Sequence, residues 1–319
     1  HLHLADEDGH LTGVQYGVLK TIADLRENVS KRIVIVWDHG IPVLGAQKPR
    51  NWRDDILKSY KATRPPNEAY PLIVPQLLPL SSAIEHVGYQ NIGVMGLEAD
   101  DVIGILSQTM RSEVLIFSTD KDMYQLLEPN RVRILVPKKE NGKFRYITAA
   151  DVEAEYTVPI KRWAEYLALG GDSADNIKPL KGMGPKTAAK LIRDGVHLDW
   201  PLEKQPAAIE RYRAAWSHIL KSYEAARIPT DPFDSRVRHL IPNGYLSSPT
   251  GKQFWPDEAT RRRSQKLFDQ FCADRDMYTI FAIRRKFFES ETPKGEQPCT
   301  VSLPTPPKIR PKRPSLFDI

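Results

Sequence analysis

Two short apolar runs, each closed by a carboxylate, limit the folds open to this chain more than any other feature. Arg32-Ile-Val-Ile-Val-Trp-Asp38 and Val114-Leu-Ile-Phe-Ser-Thr-Asp120 are too short for helices and carry apolar residues at consecutive positions, the pattern of strands buried on both faces. Such strands need helices on either side. Helical spacing supplies them: Val14, Val18, Leu19, Ile22 and Leu25 precede the first run, while Pro75–Val87 and a segment opening at Glu98 lie between the two. Further strands are expected at 91–95, 131–136 and 144–147, with a turn at Asn141-Gly142, and further helices at 52–60 (weak) and 123–127. This alternation predicts an α/β core with a mostly parallel central sheet flanked by helices. From about Ile160 the pattern is helical, at 163–169, 186–192, 207–226 and 258–285. We therefore expect a core over 1–155, a helical region over 156–290 and a Pro-rich, basic, disordered tail over 291–319.

Composition removes several function classes. No apolar run approaches the ~20 residues that span a bilayer, so a membrane protein is not expected. The opening residues lack the basic and apolar regions of a signal peptide. With only Cys272 and Cys299, neither a disulfide framework nor a thiolate zinc site is expected, which points to a reducing, cytoplasmic setting. Residues 1–150 carry 18 basic and 18 acidic side chains, whereas 151–319 carry 28 and 22. That surplus in the second half suits a polyanionic partner such as DNA.

The acids are the chemistry-bearing groups. Asp38 and Asp120 end the two strands, and Asp122 follows closely. Glu98, Asp100 and Asp101 share one turn at a helix start, and Asp172 and Asp175 lie three apart. Functional groups of parallel sheets gather beyond the carboxyl ends of the strands, so these clusters are candidates for one cleft. Two readings stand for the 98–101 group: helix capping alone, or a share in that cleft. Eight carboxylates together repel one another and require cations, and an all-oxygen donor set selects two Mg²⁺ or Mn²⁺. Two such ions suit phosphoryl chemistry. Downstream, Gly182-Met-Gly184-Pro-Lys186-Thr187 opens a helix. It is either a plain interhelical turn or a phosphate grip made of backbone N–H groups with Lys186 at its rim.

Glu98-Ala-Asp100-Asp101, Ser118-Thr-Asp120-Lys-Asp122, Gly171-Asp172-Ser-Ala-Asp175-Asn176 and Lys181-Gly-Met-Gly-Pro-Lys-Thr-Ala-Ala occur in the order and spacing of the 5′ nucleases. The chain resembles that family of flap endonucleases and 5′–3′ exonucleases over about residues 10–230. The resemblance implies a PIN-like 5′-nuclease core with a C-terminal helix–three-turn–helix around 177–193. It places Asp38, Glu98, Asp100, Asp101 and Asp120 around a first metal, and Asp122, Asp172 and Asp175 around a second. Residues 39–71 correspond to the helical arch, with Lys61 and Arg64 holding the scissile phosphate as catalytic groups and Arg53 binding DNA. Lys181, Gly182, Gly184, Lys186 and Thr187 correspond to the duplex-gripping turn, where the family commonly holds a K⁺.

The implied activity is divalent-metal-dependent hydrolysis of DNA at 5′ flaps, nicks or ends, and RNA primers in some members. The implied setting is a monomer in the cytoplasm of a bacterium or a phage-infected cell, working in replication or repair. Members also begin with a strand ending in Asp-Gly, whose Asp is a metal ligand. The resemblance places that strand within roughly a dozen residues expected before His1, and an upstream-extended chain is expected to restore Mg²⁺-dependent cleavage. Two alternatives remain: a non-catalytic DNA-binding scaffold lacking that first ligand, and an RNA nuclease of the related PIN type, against which the glycine turn argues. Finally, Arg313-Pro-Ser315-Leu316-Phe317 is similar to sliding-clamp-binding peptides without their leading Gln; the other reading is an inert terminus.

Overall fold

Helix α1 (Gly13–Asn28) and helix α3 (Tyr70–His86) each carry an apolar stripe, and the stripes meet: Leu19, Ile22 and Ala23 pack with Leu80, Ala83 and Ile84. Phe268, Phe271 and Cys272 of α9 (Glu258–Ala273) join the same cluster. This computed structural model describes residues 4–6, 8–42, 49–137, 144–242, 245–246, 258–274 and 287. The expected turn at 141–142, part of the arch (43–48) and the whole 291–319 tail lie outside the described residues, as does the expected helix beyond 274 apart from Phe287. Helix α3 begins at Tyr70 rather than at Pro75, because Pro71 sits in the first turn, where a missing N–H costs nothing.

Strand β1 (Val34–Val36) pairs in parallel with β2 (Gln90–Ile92). Strand β3 (Val114–Phe117) pairs in parallel with β4 (Val132–Pro137), and β4 pairs antiparallel with β5 (Phe144–Ile147). The expected mostly parallel sheet is thus present as two separately hydrogen-bonded pieces among the described residues. Helix α4 (Ala99–Thr109) supports the β2 side: its Val102, Ile105 and Leu106 share a core with Trp52, Ile92, Val94 and Val237. The helix expected near 123–127 is a 3-10 turn over Lys121–Leu126, tightened where the Asp120 carboxylate accepts the Asp122 N–H. The weak helix at 52–60 reduces to one turn, α2 (Arg53–Ile56).

The second half is helical, as its spacing predicts. Helices α5 (Ala149–Tyr156), α6 (Trp163–Gly170), α7 (Pro185–Arg193) and α8 (Trp216–Ala226) follow one another, and a 3-10 segment (Ala207–Ala215) takes the first half of the expected 207–226 helix. Leu169, Met183, Leu191, Ile192, Trp216 and Ile219 build their shared core. The change near residue 155 is one of element type, since His1–Phe288 form one compact unit. No helix among the described residues is long and apolar enough to cross a membrane.

Candidate metal centre

Four acidic segments meet beyond the carboxyl ends of β1 and β3. Asp38, just past β1, accepts the Ala99 N–H at 2.7 Å and so sits on the first turn of α4. Glu98 is the N-cap of that helix and Asp100 lies in its first turn. The Tyr60 hydroxyl lies 2.7 Å from Glu98 Oε2 and 2.8 Å from Asp175 Oδ2, which joins the 172–176 loop to the helix start. Asp122 completes the set, because its carboxyl feels Asp120, Asp172, Asp175 and Asp100 together. The Glu98–Asp101 capping box is also formed, so capping and cleft-building coexist here.

The cleft has two electrostatic halves. On one side, burial alone would raise the Glu98 carboxyl, but Arg53 and Lys61 hold it down at about 2. Lys61 Nζ bonds Glu98 Oε1 and stands 3.6 Å from Asp175, while Arg64 reaches Asp175 at 3.0 Å. On the other side, burial and then the facing carboxylates of Asp120, Asp172 and Asp175 push the Asp122 carboxyl up to about 9. Burial and the neighbouring Asp101 push Asp100 up to about 8, against the pull of Arg53. A carboxylate held that high is one that a divalent cation brings back into its ionised form, and every donor here is an oxygen. The residues present therefore fit a hard divalent cation.

Two expectations are corrected. Arg53, expected to bind DNA from the arch, is 1% exposed and lies beneath the cleft. Its guanidinium bonds Asp101 at 2.7 and 2.9 Å, Glu98 at 3.2 Å and the Ala225 carbonyl at 2.8 Å. Trp52 and Tyr60 cover its faces. Asp101, expected beside the first metal, is fully buried, and its oxygens are taken by Arg53, Trp52 Nε1 and the Glu98 N–H. It holds Arg53 and does not face the cleft. Tyr60 and Trp52 are the contributors that residue typing passed over. The only signal for Tyr60 was its place next to Lys61 in the 39–71 stretch.

On the glycine turn, Lys181 and Lys186 are exposed. Gly182 has a φ of +78°, a left-handed conformation that suits glycine, whereas Gly184 is extended with open space in front of it. Pro185 and Lys186 start α7, and its first N–H groups have no capping side chain.

A further group, Glu165, His197 and Asp199, brings ligand atoms within 4.8 Å of one another. Arg162 already bonds both Glu165 oxygens, at 2.8 and 2.5 Å, so that group is a neutralised ion pair. No three carboxylates of the cleft come that close among the described residues.

A family model described as the 5′–3′ exonuclease N-terminal resolvase-like domain matches residues 1–157. A 5′–3′ exonuclease of Buchnera aphidicola subsp. Acyrthosiphon pisum is 30% identical over 269 residues, covering 79% of this chain and 89% of that protein. Flap endonuclease-1 from Methanococcus jannaschii superposes with a TM-score of 0.55 at 14% identity, over 89% of this chain and 84% of that one. The T5 D15 protein co-crystallised with metal ions superposes at 0.52 and 18% identity, over 84% and 92%. The two superpositions establish a shared fold.

Proposed function

The chain belongs to the 5′–3′ exonuclease family; on that premise we propose that it is a metal-dependent 5′ nuclease that cuts DNA at 5′ flaps, nicks or ends by a two-metal hydrolysis. The observation that carries this reading is the convergence of acids from three separate segments around Asp122, with Asp38 held on the first turn of α4 and Lys61 and Arg64 on the rim. We assign Asp38, Glu98, Asp100 and Asp120 to a first Mg²⁺ or Mn²⁺, and Asp122, Asp172 and Asp175 to a second. Bound in this donor set, the two ions supply positive charge opposite the attacking and leaving oxygens of an in-line displacement.

The chain's own residues do the rest. Lys61 and Arg64 lie where the scissile phosphate must enter, and their charges offset the negative charge growing on its oxygens. Arg53 and Asp101 fix the start of α4, and with it Glu98 and Asp100, so the cleft spends little reorganisation when DNA arrives. Away from the cleft, Lys181, Gly182, Gly184, Lys186 and Thr187 form a helix–three-turn–helix grip on duplex phosphates, with a K⁺ at its carbonyls. We place the protein in the bacterial cytoplasm as a monomer, with the 313–317 segment docking on a sliding clamp.

The test uses a labelled 5′-flap DNA in Mg²⁺ or in EDTA, beside Asp120→Ala. Cleavage confined to Mg²⁺ and lost in Asp120→Ala supports the proposal. Binding without cleavage in every divalent metal favours a scaffold instead.

A further inference from the structure

We propose that Asn176 is a positioning residue whose side-chain amide locks the Lys61 turn onto the Asp172–Ile177 loop, setting the spacing between the phosphate-binding cation and the Asp175 carboxylate. This rests on the reading of Lys61 and Asp175 given above.

Each partner in the lock is closed by its own hydrogen bonds. The loop is closed by a reciprocal pair of backbone bonds between Asp172 and Ile177, both 2.8 Å, and the Asp172 carboxylate accepts the Ala174 N–H at 2.7 Å. Gly171 leads into it at a φ of +86°, with Pro179 so close that an added Cβ would lie 2.4 Å from its ring. The turn opposite is closed by Tyr60 N–H to Leu57, Ala62 N–H to Ser59 and Arg64 N–H to Lys61, at 2.9, 3.1 and 3.2 Å.

Three hydrogen bonds to backbone carbonyls join the two. The Lys61 N–H donates to the Asp175 carbonyl at 3.0 Å, and Arg64 Nε donates to the Ala174 carbonyl at 3.0 Å. Asn176 Nδ2 donates to the Ser59 carbonyl at 2.6 Å, from a residue only 8% exposed. Lys61 and Asn176 both occupy the left-handed region, with φ of 51° and 56°. Asn adopts that conformation more readily than most residues, whereas Lys enters it only when its surroundings hold it there.

The carboxylate pairings of Lys61 and Arg64 must exchange when a phosphate takes those cations. The neutral Asn176–Ser59 bond has no such competitor, so it persists through the reaction while the charged contacts change. Its loss leaves no orphan, because the Ser59 carbonyl keeps Ala62 as a partner. The fold survives that loss and the spacing does not.

The experiment compares Asn176→Gly, which accepts the backbone conformation, with Asn176→Asp, which turns the donor into an acceptor. Single-turnover cleavage of flap DNA in Mg²⁺, flap affinity in Ca²⁺ and backbone amide exchange of the metal-free protein are measured for both. Expected are cleavage about 10–100-fold slower, as for a misplaced catalytic group, flap affinity within about twofold, and faster exchange confined to 57–64. In a Lys61→Ala background the further cost of Asn176→Gly should shrink below about threefold, because both changes act through one ammonium group.

Unchanged cleavage, an undiminished cost in that background, unchanged exchange at 57–64 or loss of protection throughout the molecule each overturns the proposal. A slow Lys61→Ala beside a fast Asn176→Gly overturns it alone. A Lys61→Ala variant that cleaves normally overturns the reading of Lys61 as well.

Discussion

Glu98 and Asp101 are surrounded by Arg53, Lys61, Trp52 and Tyr60, whereas Asp120, Asp122 and Asp172 face one another with no Lys or Arg ion pair among the described residues. The first group is neutralised by the chain itself, and Glu98 stays ionised at about 2. The second has its charge uncompensated, and Asp122 is driven to about 9. Glu98 and Asp122 are both buried, so what separates those two is the counter-charges beside them. It teaches that half of the centre is preorganised by folding, while the other half reaches its working charge only with cations.

The sharpest way to break that comparison is to remove charge from the uncompensated half. Asp122→Asn should slow flap cleavage by about three orders of magnitude, roughly 4 kcal/mol of transition-state stabilisation. Without metal the folded state must take up a proton on Asp122 that the unfolded chain has released, a cost Asn does not carry, so the thermal midpoint in EDTA should rise or hold while the gain from added Mg²⁺ shrinks. A variant that loses stability in EDTA would show that Asp122 is held by folding contacts, as Glu98 is, and the contrast would disappear.

The compensated half should respond in the opposite manner. Arg53→Met strands Asp101 and Glu98 without their buried partner, at a cost of about 3–5 kcal/mol in urea unfolding. Replacing the pair together, Arg53→Met with Asp101→Leu, should recover most of that loss, because apolar packing can replace a buried ion pair. Flap cleavage should fall in both variants, since Glu98 and Asp100 lose their fixed helix start. If the single change is tolerated within about 1 kcal/mol, Arg53 carries none of the neutralisation assigned to it.

The same contrast explains what was legible beforehand. Strands β1 and β3 stood out because a β-branched run ending in Asp has few other readings, and α4 because its acids sit where a helix start favours them. The helix at 123–127 was misjudged. Met123–Leu127 has helical spacing, but Asp120 bonds Asp122 two residues on and tightens the segment into a 3-10 turn. Arg53 was misplaced for a different reason. A basic residue in a polar, Pro-containing stretch reads as solvated, and nothing local reveals that Asp101, 48 positions away, awaits it in the interior. Tyr60 was passed over on the same ground, since its partners Glu98 and Asp175 are brought to it by tertiary folding. Local chemistry was readable, while pairings across long stretches of chain were not.

The gentlest probe of the two halves is pH, because it titrates both without altering a residue. In the folded metal-free protein the Asp122 carboxyl stands at about 9, against about 3.9 in an unfolded chain. Between those values the folded state holds a proton that the unfolded state has released, so stability falls as pH rises from about 4 toward 9. Asp100, at about 8, adds to the same limb. Glu98 works with the other sign: at about 2 when folded and about 4.3 when unfolded, its contribution is complete above the unfolded value and lost as pH drops toward 2. Thermal midpoints in EDTA should therefore peak near pH 4–5 and stability should decline by about 5 kcal/mol between pH 6 and 8, each of the two carboxyls contributing about half. Mg²⁺ should flatten the alkaline limb alone, since cations take the place of the protons on Asp122 and Asp100 and find Glu98 already ionised. An alkaline limb unchanged by Mg²⁺ would place the responsible carboxylates outside the cation site.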